Sequence, residues 1–376
     1  MVKRGLIFIL SLIVIFSLAA CQEEETDPVK IGFVGSLSGR VSDLSVSGRD
    51  GVVLAVEQFN ARGGLDGRPV QLLTRDDGHD RDQARDVVKD LIEEEVVGII
   101  GHMTSSMSRA TVHLINQERV LMISPTTSTS FLEGRHDFFL RVFPGHRAET
   151  RALAEYIYND RGIERVGVAY DLSNHEYTID WYSHFRREFT ARGGEISSSV
   201  PFSSGKDFSY NAVVERVLFY EPEGIVLISG GVDAGRFVQQ FRNANFQKPL
   251  FGAAWAKTYE LIHHGGRAVE DFSLVHYFDP GARNESYLAF YEEYRDRFGR
   301  EPEFGAFFGY EAARVLLWAL ENTSDWSAES LREVIINRGN FPGLQGEFFI
   351  DRFGDSIIEE KIFQVKDGVF QRVDNQ

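Results

Sequence analysis

From residue 29 onward, short apolar runs alternate with longer segments in which apolar residues recur at helical spacing. The clearest of these longer segments spans residues 82–95, where five apolar residues fall on one helical face. The short runs are continuously apolar, as expected for strands that are buried on both faces of a parallel sheet. This pattern predicts strands at residues 30–34, 70–74, 96–101 and 120–124, with helices at 48–62 and 82–95.

The same order of elements starts again near residue 165. A glycine pair at residues 193–194 ends a helical segment, as the pair at 63–64 does in the first half. Strands are predicted at residues 165–170, 195–202, 224–229 and 249–252, with a helix at 207–220. Because strands alternate with helices, we expect right-handed crossovers and a parallel sheet in each half. A chance match of short glycine motifs is the alternative explanation of the repeat.

The last third of the chain is less regular. It predicts a strand at residues 274–278, helices at 287–298 and 309–322, and short strands near Phe348 and Ile362. We expect these segments to complete both halves, with chain crossings near Val142, Tyr277 and Ile350 that form a hinge and restrict motion to opening and closing. The predicted fold class is α/β, with two similar doubly wound parallel-sheet lobes joined by a multi-strand hinge. The N-terminal lobe takes residues 29–142 and 277–349, and the C-terminal lobe takes residues 143–276 and 350–376.

The start of the chain has the pattern of an export signal. Lys3 and Arg4 precede an uncharged, mostly apolar run that ends at Ala20 and is too short to span a membrane comfortably. Residues 18–21, Leu-Ala-Ala-Cys, resemble a bacterial lipobox, in which the cysteine is acylated and becomes the first mature residue. We therefore predict a signal peptide at residues 1–20, a lipidated Cys21 and a polar tether at residues 21–28, and an uncleaved membrane anchor is the alternative.

Composition and charge further limit the classes of protein to which this chain can belong. The chain has 376 residues, of which 43% are hydrophobic and 26% charged, which is typical of a globular protein with two domains. Acidic residues outnumber basic ones by 56 to 40, which gives a net charge of −16 and disfavours a nucleic-acid partner. Cys21 is the only cysteine, so no disulfide can form within the chain.

No stretch of the sequence has the pattern of a catalytic or metal site. The acidic string at residues 76–82 does not have the spacing of a calcium loop, and the adjacent pair His263-His264 cannot clamp one metal ion. A nucleophile elbow, a Walker loop and a dinucleotide fingerprint are all missing in the required context. We therefore predict a protein that is not an enzyme and uses no cofactor or metal, and a hydrolase acting on small amides is the alternative.

Two loops rich in hydroxyl groups follow predicted strands of the first half. Residues 104–106 open a segment that turns helical, and residues 124–130 follow a buried strand. Ligands of open parallel sheets bind beyond the carboxyl ends of the strands, and a helix N-terminus with adjacent hydroxyls suits an anion such as a carboxylate. Capping of helices and turns is the commoner role of such residues, and it is compatible with a binding role.

The order and spacing of several short motifs resemble those of the Leu/Ile/Val-binding type of solute-binding protein. The motifs lie at residues 31–39, 63–70, 76–77, 100–102, 123–125 and 309–312. The resemblance covers nearly the whole chain after the tether. It implies the type I periplasmic-binding fold, in which two lobes close on a small molecule and deliver it to an ABC importer.

The resemblance also implies roles for individual residues. In that family a serine hydroxyl that matches Ser105 holds the ligand carboxylate, and Thr126 and Ser128 fall on polar contacts. The family usually places an acidic residue for the ligand amine at the position of Ala254, and an aromatic residue is common at the position of Leu44. Ala254 cannot pair with an ammonium group, so this chain departs from the amino-acid binders at that point.

An apolar or aromatic wall is expected opposite the carboxylate. Trp255, Tyr177 and Phe307 are the candidates for this wall, although Trp255 has an alternative role in packing between the lobes. Asp233 is the candidate to replace the missing acid. His175 is the alternative to Tyr177 as the residue that closes over the ligand.

The resulting hypothesis is an exported, lipid-anchored monomer that closes two lobes around a small carboxylate- or amide-bearing molecule, such as an amino acid, and docks to an ABC permease. Its contact with the membrane is through the lipid alone. The alternative is a receptor component that passes its closure to a signalling partner.

Overall fold

The computed structural model describes residues 27–203 and 208–373. Its helices are α1 (Ser42–Ala61), α2 (Arg81–Glu93), α3 (Ser105–Glu118), α4 (Arg147–Glu155), α5 (His175–Ala191), α6 (Tyr210–Leu218), α7 (Gly231–Asn243), α8 (Tyr259–Gly265), α9 (Glu285–Phe298), α10 (Phe304–Glu321) and α11 (Ala328–Arg338). Its strands are β1 (Val29–Gly35), β2 (Val70–Asp76), β3 (Ile99–Ile100), β4 (Met122–Ser124), β5 (Phe139–Arg141), β6 (Arg165–Asp171), β7 (Glu195–Phe202), β8 (Gly224–Ile228), β9 (Leu250–Gly252), β10 (Ser273–His276), β11 (Asn340–Gly343), β12 (Gly346–Ile350), β13 (Ser356–Ile357), β14 (Lys361–Lys366) and β15 (Val369–Arg372). The predicted Cys21 and the signal peptide lie outside the described residues.

The first lobe is built on a five-stranded parallel sheet with the order β2-β1-β3-β4-β5. The buried apolar run of β1 pairs with β2 on one side and with β3 on the other. Helices α1, α2 and α3 connect the strands from β1 to β4, as the alternation along the sequence predicts, and a loop with a short 3-10 turn joins β4 to β5. All the strands therefore end at the same edge of the sheet, where the hydroxyl-rich loops begin.

The second lobe has a seven-stranded sheet with the order β15-β14-β10-β9-β8-β6-β7. Its strands from β6 to β10 are parallel, while β14 and β15 join as an antiparallel pair at the far side. The predicted α/β architecture with two similar lobes is confirmed. Among the described residues, no helix combines the length and apolar character needed to cross a membrane.

The chain passes between the two sheets several times. It leaves the first sheet after β5 and leaves the second sheet after β10. It then forms a small antiparallel sheet of β11, β12 and β13 before it returns to the second sheet at β14. Pro144 forms a β-bridge with Ser356, so two of these passages run side by side. Motion of the lobes is therefore expected to be hinge-like.

Helices α1 and α10 of the first lobe touch backbone to backbone. A Cβ atom at Gly309 would come within 2.2 Å of the carbonyl oxygen of Gly48, and one at Gly51 within 2.0 Å of the carbonyl oxygen of Ala306. No side chain fits at either position, so glycine is required there by the close approach of the helices.

Two helices begin earlier than the apolar pattern predicts. Helix α1 begins at Ser42 instead of residue 48, because its first turn is held by polar contacts: Ser45 Oγ accepts from Ser36 N at 3.0 Å, and Ser47 Oγ accepts from Ala306 N at 3.1 Å. Helix α10 begins at Phe304 instead of residue 309, and its first turns are buried on every side. In both helices the first turns lack an apolar face opposite a polar one, so the spacing of apolar residues does not reveal where the helix begins.

Candidate functional site

A small cavity lies between the lobes at the carboxyl edges of their sheets. Twelve residues line it: Leu44, Met103, Thr104, Ser105, Thr126, Ser128, Phe143, Asn174, Tyr177, Ala254, Trp255 and Phe304. Five of the predicted ligand contacts are therefore brought together, namely Ser105, Thr126, Ser128, Tyr177 and Trp255. Leu44 and Ala254, which mark departures from the amino-acid binders, line the same cavity.

The first lobe supplies a wall of uncharged hydroxyl groups. Ser105 is the first residue of α3, and its Oγ accepts a 3.4 Å hydrogen bond from Ser128 N. Thr104, which precedes the helix, has a buried Oγ1 for which residues 27–203 and 208–373 provide no hydrogen-bond partner. Thr126 donates its hydroxyl to the carbonyl of Met103, which ties the two loops together. The wall thus combines a helix N-terminus with hydroxyl groups, which is a neutral site for an anion.

The second lobe supplies an aromatic wall. The rings of Tyr177 and Trp255 meet edge to face with centroids 6.0 Å apart. The Tyr177 hydroxyl is buried, and it meets no hydrogen-bond partner within the part of the chain that the structure describes. His175 does not line the cavity, because its Nε2 lies 2.9 Å from Arg81 NH2 outside it. Tyr177 is thus the better placed of the two candidates to contact a ligand.

A buried carboxyl group lies behind this aromatic wall. Glu149 on α4 accepts hydrogen bonds through Oε1 from Trp181 Nε1 at 2.7 Å and from the backbone N of Ala254 at 2.8 Å. Its Oε2 accepts no hydrogen bond from any residue that the structure describes. Burial raises the pKa of Glu149 to about 8, against the opposing effect of the two hydrogen bonds. Sequence reasoning missed this residue, since a glutamate on an amphipathic helix normally faces solvent.

Asp233 does not line the cavity. Its carboxylate pairs with Arg40 of the first lobe and accepts a hydrogen bond from Tyr210. A second ion pair across the cleft joins Arg81 to Glu176 at 3.0 Å. The charge of the Asp233 carboxylate is thus balanced by Arg40. Its predicted contact with a ligand amine stays a prediction.

The cleft is closed in this arrangement. The cavity has a volume of only about 30 Å³, and ion pairs from Arg40 to Asp233 and from Arg81 to Glu176 join the lobes across the cleft. We therefore expect the lobes to separate when a ligand of amino-acid size enters.

Phe307 lies outside the cavity lining. Its ring packs on Phe278 and Phe308 with centroid distances of 5.1 and 4.8 Å. Phe304, one turn earlier on α10, lines the cavity instead, together with Phe143. The predicted contact of Phe307 stays a prediction, and the structure gives its side chain a place in the first-lobe core.

The acidic string at residues 76–82 has a structural role in the first lobe. Asp77 accepts a hydrogen bond from Ser36 Oγ and lies 2.7 Å from His102 Nδ1. Burial alone would raise the pKa of Asp77, but the contact with His102 holds it below its usual range. These bonds fix the turn that precedes α3 and so help to position the hydroxyl wall.

Comparison with known proteins places this geometry among binding proteins. Residues 28–368 match the model of a family described as periplasmic binding protein. The chain is 24% identical to the Leu/Ile/Val-binding protein homolog 2 of Brucella abortus over 333 residues. This alignment covers 87% of each of the two chains.

Solved structures have the same fold. A leucine-binding protein LivK from Thermotoga maritima superimposes with a TM-score of 0.85 at 27% identity, covering 92% of this chain and 98% of that one. A solute-binding protein of an ABC transporter from R. palustris, in complex with benzoate, superimposes with a TM-score of 0.84 at 18% identity, covering 92% and 96%.

Proposed function

Because this chain belongs to the periplasmic binding protein family, we propose that it is a lipid-anchored, extracytoplasmic solute-binding protein of an ABC importer. It closes its two lobes around a small molecule that carries a carboxylate or amide, and it works as a monomer that docks to the permease. Closure is the mechanism, since a ligand stabilises the closed state only to the extent that it contacts both lobes.

One observation carries the proposal, namely the opposite chemistry of the two walls of the cavity. The first-lobe wall offers Thr104, Ser105 and the N-terminus of α3, which are uncharged donors. The second-lobe wall offers the rings of Tyr177 and Trp255. A molecule with a carboxylate at one end and an apolar body at the other satisfies both walls at once.

The similar protein LivK is a leucine-binding protein, and the similar R. palustris protein was solved in complex with benzoate. Leucine and benzoate both belong to that chemical class. Ala254 offers no acid to a ligand amine, and burial raises the pKa of Glu149 behind it to about 8, which favours the uncharged form of that acid at neutral pH. Aromatic and aliphatic carboxylates without an amine are therefore the first class to test.

A thermal-shift screen of the mature chain against amino acids, aromatic acids, amides and short peptides tests the proposal. A ligand present at 100 times its dissociation constant adds about 2.7 kcal/mol of stability. If no compound of these classes raises the melting temperature, the proposed ligand class is wrong.

Ser105→Ala should weaken binding of the ligand found in this screen by about 1 to 3 kcal/mol, because it removes a charge-assisted hydrogen bond to the carboxylate. This corresponds to roughly a 5- to 150-fold higher dissociation constant by calorimetry. Ser183→Ala is the matched control, since Ser183 is exposed on α5 and its hydroxyl donates to the carbonyl of Ile179, away from the cavity. Equal affinities of the two variants would contradict the role of Ser105.

Cys21→Ser should release the protein from the membrane. Acylation at Cys21 supplies apolar chains that add about 0.8 kcal/mol of membrane affinity per buried methylene. We expect the natural chain in the detergent phase after Triton X-114 partitioning of cells, and the variant in the aqueous phase. Recovery of both proteins in the same phase would contradict lipid anchoring at this residue.

A further inference from the structure

Two histidines and an aspartate form a buried cluster where the two lobes meet. His146 immediately precedes α4, and Asp180 and His184 lie one turn apart on α5. Asp180 also accepts hydrogen bonds from Thr129 Oγ1 at 2.9 Å and from Ser130 Oγ at 2.9 Å. These two hydroxyl residues belong to the loop between β4 and β5 of the first sheet, so the cluster joins the second-lobe helix to the first lobe.

One ligand atom from each of the three residues lies within 4.8 Å of the other two, and each histidine approaches a different oxygen of Asp180. His146 Nε2 lies 3.2 Å from Asp180 Oδ2, and His184 Nε2 lies 3.3 Å from Asp180 Oδ1. Ser130 Oγ lies 3.2 Å from His184 Nε2. Nitrogen and oxygen ligands about 2.0 to 2.2 Å from a tetrahedral zinc ion are themselves roughly 3.3 Å apart.

His146 provides an independent observation. Its side chain is fully buried, yet neither Nδ1 nor Nε2 has a hydrogen-bond partner among the described residues. The carboxylate of Asp180 lies close to Nε2 but outside hydrogen-bonding geometry. Among the described residues, the 3.2 Å contact with the Asp180 carboxylate is thus the interaction that offsets the burial of Nε2, and a metal ion between the two groups would give each of them a directed bond.

Two guanidinium groups border the cluster. Arg187 and Arg147 lie 3.0 and 3.5 Å from His184 Nδ1. Both are partly neutralised, Arg147 by Glu133 at 2.6 Å and Arg187 by Glu188 at 3.3 Å. Metal binding at His184 Nε2 places the ring proton on Nδ1, so the contact with Arg187 must break. Arg187 is 60% exposed and can turn into solvent.

We propose that His146, Asp180 and His184 bind a divalent transition-metal ion of the zinc type, with Ser130 Oγ or a water molecule as the fourth ligand. Two imidazoles and a carboxylate are the donor set that zinc accepts in proteins. When Ser130 is the fourth ligand, the ion joins α5 directly to the first-lobe loop whose hydroxyls already bond to Asp180. The site is separate from the solute cavity, although the rings of His146 and Tyr177 are only 5.9 Å apart.

Calorimetric titration of the metal-free mature chain with zinc chloride, in the absence of any solute, tests the proposal. We expect saturable binding of one ion per chain. Cobalt(II) should give the visible absorption of a four-coordinate site. Asp180→Asn, which keeps the size of the side chain, and His184→Ala should each weaken zinc binding by about 100-fold or more.

His264→Ala is the matched control. His264 Nε2 lies 3.1 Å from Glu260 Oε2 in the same i, i+4 relation as His184 to Asp180, but this pair is partly exposed and no third ligand joins it among the described residues. The control should bind zinc as the natural chain does. Melting curves without metal establish that each variant is folded. A natural chain that shows no saturable zinc binding, or folded cluster variants that bind zinc like the control, would overturn the metal site and leave the solute-binding proposal standing.

Discussion

Glu149→Gln should stabilise the protein relative to the natural chain, and the gain should grow as the pH rises from 5 to 8. The pKa of Glu149 is about 8 in the folded protein against 4.5 as its ordinary value, because burial penalises the charged form. Between these two values the folded state binds more protons than the unfolded state, so stability falls with rising pH. Glutamine resembles the protonated acid and keeps an acceptor for Trp181 and Ala254, so it removes this loss.

The expected difference is roughly 3 kcal/mol at pH 7, since each pKa unit corresponds to about 1.4 kcal/mol. Urea unfolding of both proteins at pH 5, 6, 7 and 8 measures it. Glu303 and Lys257, whose pKa values burial moves to about 7, contribute equally to both proteins and cancel in the difference. Exposed Glu215→Gln is the control and should follow the natural chain. A gain that does not change with pH would show that Glu149 keeps an ordinary pKa.

Trp181→Ala should lower the free energy of unfolding by about 3 to 5 kcal/mol, the usual range for removing a large aromatic side chain from a core. Trp181 is 0% exposed and stacks on Phe185 with ring centroids 5.3 Å apart. Its Nε1 also donates to Glu149, so the variant leaves a cavity and takes a donor from a buried carboxyl group.

Two further variants separate these contributions in the same urea unfolding experiment. Trp181→Phe keeps a ring against Phe185 but removes the donor, so it should lose less stability than the alanine variant. Trp326→Ala is the comparison at a half-buried tryptophan, which packs at the edge of the core with Arg68 over its ring, and it should lose less again. A loss of under about 1 kcal/mol for Trp181→Ala would contradict the packing described for α4 and α5.

The alternation of apolar runs and helical segments was enough to predict both lobes. Continuous apolar strands can only be buried on both faces, and parallel strands end at one edge. For this reason the loops that contain Ser105 and Thr126 were expected to lie together, and they line one cavity in the structure. The resemblance to the Leu/Ile/Val-binding type is likewise confirmed by the family match and by the structural neighbours.

Contacts between distant parts of the chain were not predictable in the same way. Asp233 pairs with Arg40, which lies 193 residues away in the other lobe, and no local pattern indicates such a partner. Whether Phe304 or Phe307 faces the cavity depends on the residue at which α10 begins. The first turns of α10 are buried on all sides, so the sequence shows no change of pattern at that residue. Glu149 was missed because periodicity reports polarity and cannot show that a polar side chain is buried.

The glycine contacts between α1 and α10 have a consequence for selectivity. Leu44 and Phe304 line the cavity from these two helices, which cannot separate or slide without breaking backbone contacts at Gly51 and Gly309. The first-lobe side of the cavity is therefore rigid. Related proteins can acquire a different solute preference by replacing side chains of the second lobe, at positions such as Trp255, while the first-lobe side keeps its shape.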